Sequence, residues 1–161
     1  MKHTKYVVKA ALVAALYVVL TYLAAAMGLS GNLPVQLRFS EALTILPFFT
    51  SAAIPGLTVG CFIANLLTGC AIWDVFFGTL ATFIGACGTY VLRKRNKYLA
   101  PLPPIIANTL IVPFVLKFVY VFPGSILYFF ITVFIGELLS CGILGILLLF
   151  ALEKHKRIFN S

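Results

Sequence analysis

The run from residue 125 to residue 150, SILYFFITVFIGELLSCGILGILLLF, contains one charged side chain, Glu137. A stretch of that length and apolarity is long enough to cross a bilayer as a helix. It is not alone. The chain of 161 residues is 62% hydrophobic and 10% charged, where a soluble domain carries about a quarter of its residues as charged. Its mean hydropathy is +1.10, and a small globule has too little interior to hide so much apolar surface. These features predict an all-α integral membrane protein.

Charge is distributed as punctuation between the apolar runs. Lys2, Lys5 and Lys9 lie near the start, Arg93, Lys94, Arg95 and Lys97 form a central cluster, and Lys154, Lys156 and Arg157 lie near the end. A nucleic-acid binder would spread its net charge of +8 over one folded face. Basic clusters flanking apolar spans instead mark cytoplasmic ends and contacts with lipid headgroups, so membrane lipid is an expected partner and nucleic acid is not. Cys61, Cys70, Cys87 and Cys141 stand at wide, irregular spacing without a CxxC pair or a nearby histidine. They read as small buried apolar residues, and no metal site is expected. His3 and His155 sit in the charged tails.

Six helices are expected in a single membrane domain over 1–161, at about 7–27, 39–54, 57–69, 73–92, 105–122 and 125–150. Residues 28–38 read as a turn-rich loop containing Gly31, Asn32 and Pro34. Within 39–69, Pro47 predicts a kink and Pro55-Gly56 a break. The two short helices there would surround a polar cavity, either as two crossings or as a re-entrant hairpin. Irregular backbone at membrane depth must be covered by protein or line a cavity. With six spans, both termini and all three basic clusters face the cytoplasm, as the positive-inside bias requires; fusing 39–69 into one crossing would break that bias.

Polar residues inside such a chain need a reason, because intramembrane ions are costly unless paired or wetted. Glu137, in FIGELLSCG, is the strongest candidate for ligand contact. The alternative is a structural ion pair with Lys117 in VLKFV, which also stands isolated in an apolar span. Arg38 and Glu41, in LRFSEALTILPFF, can pair on one helical face. Alternatively, Glu41 complements a helix dipole with Ser40 as cap, or both contact a ligand beside Gln36 in a pocket-covering loop. Asn65 and Asn108 carry amides that either another helix or a ligand must satisfy. Trp73 and Asp74 suit an interface tryptophan and a helix cap, or closure of a site. Together these groups describe a small outward-facing pocket for a flat heterocycle, aromatic on its faces and read by carboxylates and amides at its edge. A guanine-type edge offers two parallel N–H donors that one carboxylate accepts together. Separately, Ala10 and Ala14, like Ala11 and Ala15, are spaced for close helix approach, within the bundle or onto another subunit.

LRFSEALTILPFF at 37–49, IPGLTVGCFIANLLTG at 54–69, WDVFFGTLATFIG at 73–85 and GELLS at 136–140 together resemble the QueT queuosine-precursor transporters. These are substrate-binding S components of energy-coupling-factor (ECF) transporters. The resemblance covers nearly the whole chain. It implies a six-helix bundle in the cell membrane that captures a 7-deazaguanine precursor from outside. It also implies a transmembrane coupling subunit and two cytoplasmic ATPases as partners, with ATP used by them and no cofactor in this chain. Arg38, Glu41, Asn65, Asp74 and Glu137 match the implied motif positions, Ala10 and Ala14 the implied docking face, and 28–38 the implied closing loop. The residues themselves agree with a non-enzyme: there is no GxxxxGK[ST] loop and no nucleophile–base arrangement. An S component for another nutrient, such as a vitamin or a nucleobase, and a membrane scaffold remain the competing readings.

Overall fold

The computed structural model describes residues 2–29 and 37–155. Residues 30–36, with Gly31, Asn32, Pro34 and Gln36, lie outside the described residues, as do Lys156 and Arg157. Among the described residues every regular element is helical: α1 (Lys2–Ala26), a 3₁₀ segment (Phe39–Phe48), α2 (Ala53–Leu67), α3 (Ile72–Leu92), a 3₁₀ turn (Lys97–Leu99), α4 (Leu102–Phe118), α5 (Ile126–Glu137), a π-helical segment (Leu138–Leu144) and α6 (Gly145–Glu153). The last three form one continuous helix, Ile126–Glu153.

Among the described residues four helices are long and apolar enough to cross a membrane: His3–Ala26, Ile72–Leu92, Lys97–Phe118 and Ile126–Glu153. Their outward faces suit lipid. Leu12, Val19, Phe76, Leu110 and Leu147 are exposed along the helix shafts, where a water-soluble protein would place charges.

Neighbouring contacts fix the direction of each element. α1 and α2 run parallel, with Ala10 and Val13 against Gly56 and Ala14 and Tyr17 against Gly60. The 3₁₀ segment between them runs back down α1, from Ser40 beside Thr21 to Tyr6, whose hydroxyl reaches the Ser51 carbonyl. α3 returns along α2, since Thr82 meets Cys61 and Gly78 meets Asn65. α4 is antiparallel to α3 through Gly85–Pro104 and Gly88–Pro103, and the last helix is antiparallel to α4 through Ile105–Gly142 and Phe114–Phe130. This alternation brings the start of α1, the Arg93–Lys97 turn and the end of α6 to one end of the bundle. There Lys97 Nζ pairs with Glu153 Oε2 at 2.8 Å.

Two short elements complete the bundle. The 3₁₀ segment, ten residues long, is buried from Ser40 to Pro47, so its backbone is covered by protein as membrane depth demands. Runs of 3₁₀ helix this long are uncommon, but the geometry rises about 2 Å per residue against about 1.5 Å in an α-helix. Ten residues thereby reach about 20 Å along α1. α2 starts at Ala53 rather than after Pro55-Gly56. Pro55 is not a break: it occupies the first turn of the helix, where its missing N–H leaves no bond unmade. The reversal lies earlier, at 49–52. α4 runs Leu102–Phe118 instead of 105–122, because Pro103 and Pro104 are likewise tolerated in a first turn and the chain leaves the helix before Val121, whose φ is +52°.

α1 and α2 end alike. Leu29 N donates to Ala24 O around Gly28 (φ +71°), and Cys70 N donates to Asn65 O around Gly69 (φ +74°), the left-handed glycine cap that satisfies the last carbonyls. Close glycine contacts hold the shafts together. A Cβ at Gly85 would stand 2.6 Å from Pro104 Cα, and a proline ring backbone has little freedom to yield. Gly85→Ala is therefore expected to cost about 2 kcal/mol by overpacking, measurable as a lower unfolding temperature of the purified protein.

Candidate functional site

The 3₁₀ segment carries the LRFSEALTILPFF motif into the middle of the bundle, and the site forms around its Glu41. Tyr17 of α1 donates its hydroxyl to Glu41 Oε1 at 2.5 Å. Asn108 of α4 donates Nδ2 to Glu41 Oε2 at 3.4 Å, and its amide also acts on Glu137 of α5. Glu41, Asn108 and Tyr17 are all buried. Ser40 does not cap the segment. Arg38 holds the cap position, its side chain making no capping bond to the segment's backbone, while Ser40 Oγ lies 2.9 Å from Thr21 Oγ1. Thr21 in turn donates back to the Tyr17 carbonyl. Glu41 itself lies in the first turn of the segment, with its carboxylate held by Tyr17 and Asn108.

Glu137 is different in one respect. Its Oε2 is buried and has no hydrogen-bond partner among the described residues. It ends α5 just before the π-helical segment, whose wider turn carries buried Ser140 and Cys141. Ser140 Oγ accepts from the Arg38 backbone N–H at 3.2 Å, and Cys141 Sγ lies 2.9 Å from Thr44 Oγ1. The π stretch therefore docks the last helix onto both ends of the 3₁₀ segment's first turns. Insertions of this kind are frequent at functional sites because they redirect one side chain without breaking the helix.

Arg38 and Asp74 complete the charges. Burial works against the Arg38 charge, but Asp74, Tyr17, Cys61 and Glu41 together outweigh it and the guanidinium keeps its proton more firmly than usual. Arg38 also acts on Glu137, so one cation faces three carboxylates, Glu41, Asp74 and Glu137. Asp74 is buried in the first turn of α3. Its Oδ2 accepts from Tyr120 OH at 2.9 Å, and that hydroxyl accepts in turn from Ala71 N at 3.1 Å. Burial, then Asp74, pushes the Tyr120 phenol above its ordinary range, so it stays a donor. Next to it, Val121 is held at positive φ, a conformation that costs a β-branched residue about 1–3 kcal/mol. The Tyr120 bonds strap this strained loop over Asp74. Gly78 separates Asp74 from Asn65: a Cβ there would be 3.1 Å from Asn65 Nδ2 and 3.6 Å from Asp74 Oδ1. Among the described residues the Asn65 amide donates to Cys61 Sγ, at a long 3.5 Å.

The structure thus gathers Arg38, Glu41, Asn65, Asp74, Asn108 and Glu137 from five different elements. Trp73 and Lys117 lie elsewhere. Trp73 is exposed and stacks on Phe77 at 6.2 Å, because successive helical residues point about 100° apart and Asp74 takes the inward direction. Lys117 Nζ donates to Gly124 O at 2.8 Å, tying the end of α4 to the following loop; it does not pair with Glu137. Ala10 and Ala14 belong to the α1–α2 crossing, where Ala10 O and Ala14 Cα face Gly56 and Gly60. The other small pair, Ala11 and Ala15, is on the exposed side of α1. Of the expected closing loop 28–38, residues 30–36 lie outside the described residues; Leu37 N donates to Leu29 O at 2.9 Å.

Tyr17 and Tyr120 are the site residues that sequence reasoning missed. A tyrosine in an apolar helix reads as an interfacial anchor. The signal for Tyr17 was its spacing with Val13, Thr21 and Ala24, which together form the buried stripe of α1.

Comparison with known proteins gives two findings. The sequence profile described as QueT transporter matches residues 7–154. A curated relative, "Queuosine precursor transporter QueT" of Lactococcus lactis subsp. cremoris (strain MG1363), is 40% identical over 78 residues, which are 48% of this chain and 45% of the relative. The matched stretch thus spans just under half of that relative's length. No solved structure gives a significant match.

Proposed function

The chain belongs to the QueT transporter family, and from that premise we propose that it is the substrate-capture subunit of an ECF-type importer in the cell membrane, taking up a 7-deazaguanine precursor of queuosine from outside. In this reading the bundle end carrying Lys5, Arg93–Lys97 and Lys154 is cytoplasmic. A coupling subunit and two ATPases supply the energy, and this chain undergoes no covalent change.

The observation that carries the proposal is the unpartnered Glu137 Oε2. A buried carboxylate oxygen without a donor costs more than the roughly 1–3 kcal/mol of a neutral group, and an intramembrane acid in that condition marks a ligand or ion path. A ring edge with two parallel N–H groups supplies the missing donors. Asn108, whose NH₂ reaches Glu41, can direct its amide carbonyl to an N–H of a purine-like edge. The surplus of three carboxylates over one guanidinium favours precursors that carry an amine, such as preQ1 or queuine, over the uncharged nitrile preQ0. The name of the relative, a queuosine precursor transporter, supports the same class.

Titration calorimetry of the purified protein against preQ1, queuine, preQ0, guanine and a set of vitamins tests this. Binding is expected for the 7-deazaguanines, with the amine-bearing members tighter than preQ0. Tight binding of a vitamin together with silence from every 7-deazaguanine would overturn the substrate assignment.

A further inference from the structure

We propose that Tyr17 is a positioning residue that holds the Glu41 carboxylate in its ligand-binding orientation and makes that orientation depend on where α1 lies against α2. The inference rests on the reading of the buried cluster as the substrate site, and it deepens that reading by adding a residue and a mechanical connection.

Three observations converge. First, Tyr17 OH is the short donor to Glu41 Oε1, whereas the other partner, Asn108, sits at 3.4 Å. The phenol therefore fixes the carboxylate more tightly than the amide does. Second, Tyr17 has no slack. A Cβ added at Gly60 would lie 2.8 Å from Tyr17 Cβ and 3.0 Å from the Ala14 backbone, so the α1 and α2 backbones touch at this level. Sliding one helix along the other must carry the phenol with it. Third, one turn on, Thr21 meets Ser40 at 2.9 Å, so α1 holds the 3₁₀ segment at Ser40 as well as at Glu41.

α1 is also the spanning helix least held by the rest of the molecule. Of its most apolar stretch 28% is buried, against 39% for α3, 50% for α4 and 33% for the last helix. Its remaining face, with Val8, Leu12, Val19 and Leu23, is exposed. A force applied to α1 from outside the bundle would therefore be resisted mainly by the α2 crossing and by Tyr17 and Thr21. Displacement of the helix withdraws the phenol from Glu41 and loosens the grip on bound substrate. Tyr17 acts through Glu41 and needs no contact with the ligand.

A double-mutant cycle tests the assignment. The dissociation constant for preQ1 is measured for the natural protein, Tyr17→Phe, Glu41→Gln and the double variant. Tyr17→Phe is expected to weaken binding about tenfold, the scale of one hydrogen bond to a charged group, and to have no further effect once Glu41 is glutamine. Equal losses in both backgrounds, or an unchanged constant, would overturn the proposal, because a merely structural tyrosine acts regardless of residue 41. A second readout needs no ligand. Infrared difference spectra of the ligand-free protein identify the Glu41 carboxyl band by its loss in Glu41→Gln, and Tyr17→Phe is expected to shift that band. An unmoved band rejects the link even if binding changes. If the natural protein binds no 7-deazaguanine, the substrate reading fails and the infrared result alone decides the role of Tyr17. Should Tyr17→Phe not be recovered folded, Thr21→Val probes the same grip, with an expected loss of about threefold that again vanishes in Glu41→Gln.

Discussion

Glu137→Gln is expected to weaken binding of a 7-deazaguanine roughly 100-fold while the protein still folds, and to raise its thermal stability. The two effects share one cause. Among the described residues Glu137 Oε2 is buried without a donor, and Glu41 is close enough to repel it, so this carboxylate oxygen is left unsatisfied there. An amide of the same shape removes the charge and the repulsion, which relieves the ligand-free protein. The same change removes an acceptor for the ligand's N–H groups and turns an acceptor into a donor facing them. One charge-assisted bond is worth about 1.5–3 kcal/mol, and a clash of donors adds to it, so about two orders of magnitude is the expected scale. Calorimetry and a thermal-shift scan on the same preparations check both halves. Unchanged affinity in a folded variant would remove Glu137 from the site. A gain in affinity would reverse its role. Stability given up for function at a binding residue is the general pattern of such sites.

Gly56→Leu is expected to have the largest effect on the fold. A Cβ there would lie 2.6 Å from Ala10 O and 2.9 Å from Val13 Cβ, and the nearest atom is backbone that cannot rotate away. A leucine forces α1 off α2. A loss of about 3 kcal/mol is expected from overpacking at a backbone contact, equivalent to a drop of about 10 °C in the unfolding midpoint for a chain of this size. Because Tyr17 rides on the same helix, ligand affinity should fall in parallel. Ala11→Leu is the matched control, since Ala11 lies on the exposed face of α1 and should leave the midpoint where it was. Equal melting of the Gly56 variant and the control would show that the crossing is not close-packed.

Much of the helix arrangement could be read from the chain because apolar runs and proline or glycine signals are strong in a membrane sequence. α3 starts at Ile72, one residue before the expected position, and its end at Leu92 coincides. What could not be read is where the winding changes. FSEALTILPF forms a 3₁₀ segment and LLSCGIL a π segment, yet both have the composition of ordinary apolar α-helix. Their winding follows from the distance to be spanned and from the groups docked against them, which is tertiary information. Pro55-Gly56 misled for a related reason: a proline ends one helix or opens the next, and only the neighbour packed at Gly56 distinguishes the two.

The candidate site was partly legible for the reason that makes membrane interiors informative: charges and amides are rare there, so each one needs a purpose. Arg38, Glu41, Asn65, Asp74, Asn108 and Glu137 stood out on that ground and converge in space. Rarity alone did not give direction. Trp73 and Lys117 are as unusual in their surroundings as the others, and one helical step for the first and about two and a half turns beyond Asn108 for the second carry them away from the cluster. Tyr17 and Tyr120 escaped notice because a phenol is ordinary at a membrane boundary. Their hydroxyls became informative only once the carboxylates they serve, Glu41 and Asp74, had positions.

The central claim is that a costly, unsatisfied acceptor inside this bundle waits for a nitrogenous solute. An experimental structure of the purified protein with preQ1 bound tests it directly. The account predicts a ring N–H of the ligand within hydrogen-bonding distance of Glu137 Oε2, with Glu41 still held by Tyr17. A ligand bound elsewhere, with Glu137 Oε2 instead bonded to a side chain of the protein, would contradict it.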